Sequence, residues 1–212
     1  MKIGVLGSGE VGQALAKGFA NHGYDVMIAS RNENNENLKS WVKSAGNKIS
    51  SGSFSQASIY GDLVVLATLG SATEEAIDLT GPTNFNGKLV IDATNPLDLS
   101  KGMPPGLFVG TTDSLGERIQ RKLPRAKVVK CFNTVPNTQM VNPSSQDPMM
   151  MICGNDPAAK QEVVKILEQF GWKKTIDIGG IDGARWLEAL TALWVRVGIA
   201  LNTWDHIFSV EQ

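Results

Sequence analysis

A chain of 212 residues that is 42% apolar and 19% charged can build one substantial core, or one large domain with a small appendage. Its 20 Lys and Arg against 21 Asp and Glu leave a net charge of −1, with no basic run to form the footprint of a nucleic-acid partner. No charged-then-apolar leader precedes the first strand, and Arg196, Asn202 and Asp205 interrupt the apolar C-terminal segment, so no membrane span is read and a cytoplasmic location is expected.

The chain begins with a buried-strand pattern, Ile3, Val5 and Leu6, that runs directly into Gly7-Ser8-Gly9-Glu10-Val11-Gly12. Val11, Ala14, Leu15, Gly18 and Phe19 follow at helical spacing. Strand, G-x-G-x-x-G and helix together point to a dinucleotide site. Gly7 is expected to make the tight turn, Gly9 to let the backbone approach a pyrophosphate, and Gly12 to let helix and strand pack closely. The amide N–H groups at the start of the helix would face the anion.

The second strand, Tyr24 to Ser30, ends where an adenosine ribose lies in such a site, about 20 residues beyond the glycines. An acidic residue at that end selects NAD. Here the sequence is Ser30-Arg31-Asn32, and Asp25 stands at the opposite end of the strand. A guanidinium pairs with a 2′-phosphate that a carboxylate would repel, so NADP(H) is the expected cofactor.

Further strands are read around Lys48 to Ser51, at Asp62 to Ala67, at Lys88 to Ile91 and at Lys127 to Cys131. Another is read at Met149 to Cys153 and a last one at Trp172 to Ile178, with helical patterns between them. The alternation predicts an α/β fold of the Rossmann type, a doubly wound and mainly parallel sheet. Residues 98–112, rich in Gly and Pro, form a long loop expected on the substrate side. Asp156 is the expected cap of a helix that has Pro157 in its first turn.

From Leu187 the apolar residues Leu190, Trp194, Val197, Leu201, Trp204 and Phe208 recur every three or four positions, which predicts one continuous helical stripe. The expected division is therefore a Rossmann domain over 1–178 and a helical segment over 179–212 that packs on it or on a second subunit. Cys131 and Cys153 have neither C-x-x-C spacing nor histidine neighbours, so buried thiols are expected rather than a zinc site.

Ligands of an open parallel sheet sit beyond the carboxyl ends of its strands. That rule selects Gly7 to Gly12, Ser30 to Asn32, Ala67-Thr68-Leu69, Asn95-Pro96 and Asn133-Thr134 as cofactor-side residues. Proton donors for carbonyl reduction are scarce: His22 is on the wrong side, neither Tyr24 nor Tyr60 has Lys four residues later, and no lysine follows Lys174. Hydride exchange between a nicotinamide and a flavin-like ring needs stacking without an obligatory side-chain acid, and no catalytic side chain is assigned.

The chain resembles the coenzyme F420-dependent NADP oxidoreductases, and is also similar to the NADP-binding domain of the STEAP metalloreductases. The resemblance rests on Gly7 to Gly12, Ala29 to Asn32, Asp92 to Leu97, Val128 to Val135, Ile152 to Asp156, Asp177 to Gly179 and Ala184 to Glu188. It implies hydride transfer between NADPH and a deazaflavin or flavin, with Ser8, Ser30 and Arg31 at positions that hold the 2′-phosphate, and a homodimer built on the C-terminal helices. Coenzyme F420, FMN and FAD all stand as acceptors, because the archaeal enzymes carry His where this chain has Asn133. A sensor that binds NADP(H) without turnover and an imine or carbonyl reductase are the alternatives.

Overall fold

Residues 1–211 are described by the computed structural model. The first half contains β1 (Lys2–Leu6), α1 (Glu10–Asn21), β2 (Asp25–Ala29), α2 (Glu36–Ala45), β3 (Ile49–Gly52), α3 (Phe54–Tyr60), β4 (Leu63–Leu66), α4 (Gly70–Thr80) and β5 (Leu89–Asp92). A short antiparallel pair, β6 (Leu97–Asp98) and β7 (Gly106–Leu107), comes next. The second half contains α5 (Leu115–Lys122), β8 (Lys127–Lys130), β9 (Met149–Gly154), α6 (Pro157–Gln169), β10 (Lys174–Asp177) and α7 (Ala184–Leu201).

Eight strands form one sheet in the order β10-β9-β8-β5-β4-β1-β2-β3. Six of them, from β8 across to β3, are mutually parallel. Their chain order reverses between β4 and β1, which creates a crevice at the carboxyl edge. Side chains alternate between the faces, so Ile3, Val5, Leu63 and Val65 join one core with Phe19, Phe170 and Trp172. Leu6, Val64 and Leu66 join the other with Phe85, Leu115 and Ile119.

Strand β9 runs antiparallel to β8, and β10 follows β9 in parallel. A parallel neighbour needs a crossover that carries the chain back along the sheet. Between β8 and β9 the chain offers only a single turn of 3₁₀ helix, Asn137–Gln139, so β9 starts at the edge where β8 stopped. The Gly154-Asn155 end of β9 therefore lies at the opposite edge from the crevice.

Two expectations are corrected. Residues 98–112 are not wholly irregular, because they carry β7 and the end of β6. The C-terminal helix ends at Leu201 rather than running through Phe208, since Asn202 adopts a left-handed conformation (φ 50°) and turns the chain back. Trp204 then packs against Gly198, where a Cβ would stand 2.9 Å from its ring. Trp194 donates to the His206 carbonyl at 2.9 Å and stacks on its ring at 4.7 Å.

The face that α7 buries also differs from the expected stripe. Ala184, Leu187, Glu188, Thr191, Val195 and Gly198 face the body of the protein. Leu190, Trp194 and Val197 are half-buried, while Trp186, Leu193, Ile199 and Leu201 are exposed. Polar Glu188 and Thr191 set this rotation by engaging partners inside the fold.

Candidate functional site

At the carboxyl edge, the loops that start at Cys131, Ala93, Ala67, Gly7 and Ser30 follow one another, from β8 through β5, β4 and β1 to β2. A cleft of about 350 Å³ occupies the β4, β1 and β2 end. Gly7, Ser8, Gly9, Ser30, Arg31, Ala67, Thr68 and Leu69 line it, with Phe54 of α3 and Ala72 and Ala76 of α4.

The three glycines of the turn occupy different environments. Gly7 has φ 127°, and a Cβ there would come within 2.2 Å of the Ala67 carbonyl oxygen. A Cβ at Gly12 would lie 1.9 Å from the Gly7 carbonyl oxygen, so both sites are closed to a side chain. At Gly9 a Cβ would meet nothing within 4 Å, which leaves open space above the turn. Gly9 also begins α1 without any side-chain cap, so the first amide N–H groups of the helix are available to an anion. Glu10 and Val11 form the opening of that helix, Glu10 exposed and Val11 half-buried.

At the end of β2, Ser30 is buried and its hydroxyl donates to the Asn32 carbonyl at 2.6 Å. Arg31 and Asn32 are exposed, and Arg31 pairs across the cleft with Glu75 of α4 at 3.5 Å. The carboxylate of this strand, Asp25, stands at its other end, where it pairs with Lys48 at 3.4 Å.

Asn95, Pro96, Asn133 and Thr134 stand outside this cleft, at the β5 and β8 end of the edge. Their polar groups are largely spent on one another and on α7. Asn95 Nδ2 donates to the Asn133 carbonyl at 2.8 Å, and Asn133 Nδ2 donates to Asn95 Oδ1 at 3.0 Å and to the Leu187 carbonyl at 2.9 Å. The Thr191 hydroxyl lies 2.9 Å from both Asn95 Oδ1 and the Asn133 carbonyl oxygen. Asn133 and Thr134 are buried and Asn95 half-buried, so the sequence brings these residues to one place but not as a free set of amides.

Beneath them is a charge cluster that periodicity did not reveal. Lys130 Nζ lies 2.8 Å from Asp92 Oδ2, 2.8 Å from Glu188 Oε1 and 2.8 Å from the Thr94 carbonyl oxygen. Glu188 also accepts from the Leu115 and Gly116 amides at 2.9 Å each, at the first turn of α5. Burial opposes the ammonium charge, yet the two carboxylates outweigh it and hold Lys130 above its ordinary value. Nearby Cys153 is pushed up to about 12 by burial, and burial raises Cys131 well above its ordinary range, so both thiols remain protonated at neutral pH. Charged residues at the ends of otherwise apolar strands, Asp92 and Lys130, were the available signal.

Among the described residues no group of three or more His, Cys, Asp or Glu side chains is arranged to hold a metal ion, and no helix is long and apolar enough to cross a membrane.

Comparison with known proteins agrees with this geometry. Residues 2–96 match the family described as NADP oxidoreductase, coenzyme F420-dependent. A structure from Arthrobacter sp. FB24, provisionally named an F420-dependent NADP-reductase, superposes with a TM-score of 0.94 at 37% identity, covering 100% of both chains. The F420-dependent NADP reductase of Methanocaldococcus jannaschii is 29% identical over 217 aligned positions, covering 94% of this chain and 93% of that one. The metalloreductase STEAP3 of Rattus norvegicus is 23% identical over 89% of this chain but only 36% of its own length.

Proposed function

This chain belongs to the coenzyme F420-dependent NADP oxidoreductases, and from that premise we propose that it transfers a hydride between NADP(H) and a deazaflavin acceptor of the F420 type. The observation that carries the reading is Arg31 at the rim of a cleft that starts from the glycine turn, where an NAD site would place a carboxylate.

A dinucleotide suits the residues present. Open space above Gly9 and the uncapped start of α1 accommodate a pyrophosphate, with Ser8 and the Glu10, Val11 and Gly12 amides around it. Ser30, Arg31 and Asn32 serve the 2′-phosphate, and Ala67, Thr68 and Leu69 wall the path between the two halves of the cofactor. Asn95, Pro96, Asn133 and Thr134 form the wall at the nicotinamide end, where they also fix α7. When bound, NADPH supplies the hydride.

The protein's contribution is to hold two flat rings in register and exclude water. Among the described residues, no His, Lys or Tyr side chain stands free at this edge to protonate a carbonyl. His22 sits on the exposed C-terminal end of α1 at the opposite edge, and His206 is stacked on Trp194 in the tail. Lys130 is sealed beneath the edge by its two carboxylates.

The same reading assigns residues 1–178 to cofactor binding and 179–212 to roofing the nicotinamide end and joining a second copy. It is supported by the exposed apolar side chains Trp186, Leu193, Ile199, Leu201 and Trp204 on α7 and the segment after it. Rapid mixing of the protein and NADPH with F420, FMN or FAD tests the acceptor. Bleaching of oxidised F420 together with NADPH oxidation supports the proposal. Oxidation by FMN or FAD alone moves the acceptor to a flavin, and no oxidation by any of the three overturns it.

A further inference from the structure

We propose that Glu75 is an internal counter-ion that holds Arg31 until a 2′-phosphate displaces it, and that it thereby sets how strongly the cleft prefers the phosphorylated dinucleotide. The inference rests on the NADP reading above. Arg31 Nη2 lies 3.5 Å from Glu75 Oε2, a contact that reaches from the end of β2 to α4. Helix α4 lines the cleft with Ala72 and Ala76, so the carboxylate one residue before Ala76 stands at the rim of the same wall.

Both groups expected to receive the phosphate already face a partner within the protein. Ser30 donates its only hydroxyl proton to the Asn32 carbonyl, and Arg31 faces the Glu75 carboxylate. Glu75 is the only carboxylate within 4 Å of Arg31 among the described residues. The arrangement mimics a bound anion. A phosphate dianion carries more charge than a carboxylate and offers three acceptor oxygens, so it can replace Glu75 on the guanidinium. The exchange has a cost, because the Arg31 to Glu75 attraction is lost and the freed carboxylate stays near the new anion. A dinucleotide without the phosphate leaves the pair intact and bears none of that cost.

The two side chains are 64% and 61% exposed, so the attraction is screened and its effect on affinity is modest. Glu75→Gln is therefore expected to tighten NADPH binding about two- to fivefold while NADH binding stays unchanged. Calorimetric titration of the full chain with NADPH and NADH reads both, at low and at high salt. The gain should shrink in high salt, and it should be smaller when Glu75→Gln is made on Arg31→Ala than on the wild type, since only the repulsion between carboxylate and phosphate then remains to be relieved. Thermal unfolding of Glu75→Gln at the wild-type temperature confirms that its fold is unchanged.

Unchanged or weaker NADPH binding in Glu75→Gln, with the wild-type preference for NADPH intact, overturns the counter-ion role alone. A gain of the same size without Arg31 does the same. A wild-type protein that binds NADPH and NADH equally overturns the NADP reading first and this inference with it.

Discussion

Lys130 Nζ lies 2.8 Å from Glu188 Oε1, joining strand β8 to helix α7 through two charges shielded from solvent. Asp92 adds a second carboxylate, so the cluster holds one positive and two negative side chains. The partial positive charge at the first turn of α5, whose Leu115 and Gly116 amides bond Glu188, offsets the excess. The arrangement fixes α7 against the β5 and β8 end of the sheet.

Removing the cation exposes how much rests on it. Lys130→Ala leaves two buried carboxylates facing each other and is expected to destabilise the fold by about 3–5 kcal/mol in urea unfolding. A loss under about 1 kcal/mol would mean that protons rather than Lys130 neutralise the carboxylates.

The glycine turn separates folding from binding. Gly12→Ala drives a Cβ into the Gly7 carbonyl oxygen and should fold poorly, whereas Gly9→Ala meets no protein atom. Gly9→Ala is expected to unfold like the wild type yet bind NADPH at least about tenfold more weakly, about 1.4 kcal/mol. Paired thermal unfolding and cofactor titration check this, and wild-type binding by Gly9→Ala would move the pyrophosphate elsewhere.

Acid should weaken the contact between α5 and α7. Arg185 donates to both oxygens of Glu117 at 2.6 and 2.8 Å, and this pairing holds the Glu117 carboxyl below its ordinary value. A carboxyl lowered in the folded state stabilises the fold above its unfolded value, about pH 4.3, and that contribution is lost as pH falls through the folded value. The stability gap between wild type and Glu117→Gln, measured by unfolding across pH, should be constant near neutrality and close in acid. A gap that widens in acid contradicts the pairing.

The apolar side of α7 predicts association. Leu193 is 51% exposed beside Trp186 and Leu201, and Leu193→Glu places a charge where a second copy would bury apolar surface. Sedimentation is expected to show a wild-type dimer and a Leu193→Glu monomer. A monomeric wild type removes the dimer from the account.

Much of this architecture is legible locally. The turn from Gly7 to Gly12 announces itself because three glycines are needed within six residues, and Arg31 because its position relative to the turn is fixed by one strand and one helix. The direction of β9 is not legible from its apolar run, since Met149 to Gly154 suits either orientation and only the missing crossover decides. The extent of α7 misleads because Trp204 and Phe208 keep helical spacing after the chain has turned at Asn202, an Asn that tolerates the left-handed conformation. The Asp92, Lys130 and Glu188 cluster joins residues on three elements, so no local pattern contains it. For the same reason the sequence places Asn95 and Asn133 on the cofactor side without revealing that Thr191 and the Leu187 carbonyl engage them in the fold.

The most direct measurement is a calorimetric comparison of NADPH and NADH on the wild-type chain and on Arg31→Glu. The expected result is a clear wild-type preference for NADPH that Arg31→Glu abolishes or reverses, with a much smaller change for NADH, because attraction at the phosphate becomes repulsion. Equal wild-type affinities, or equal losses for both dinucleotides in the variant, would contradict an NADP site at the end of β2.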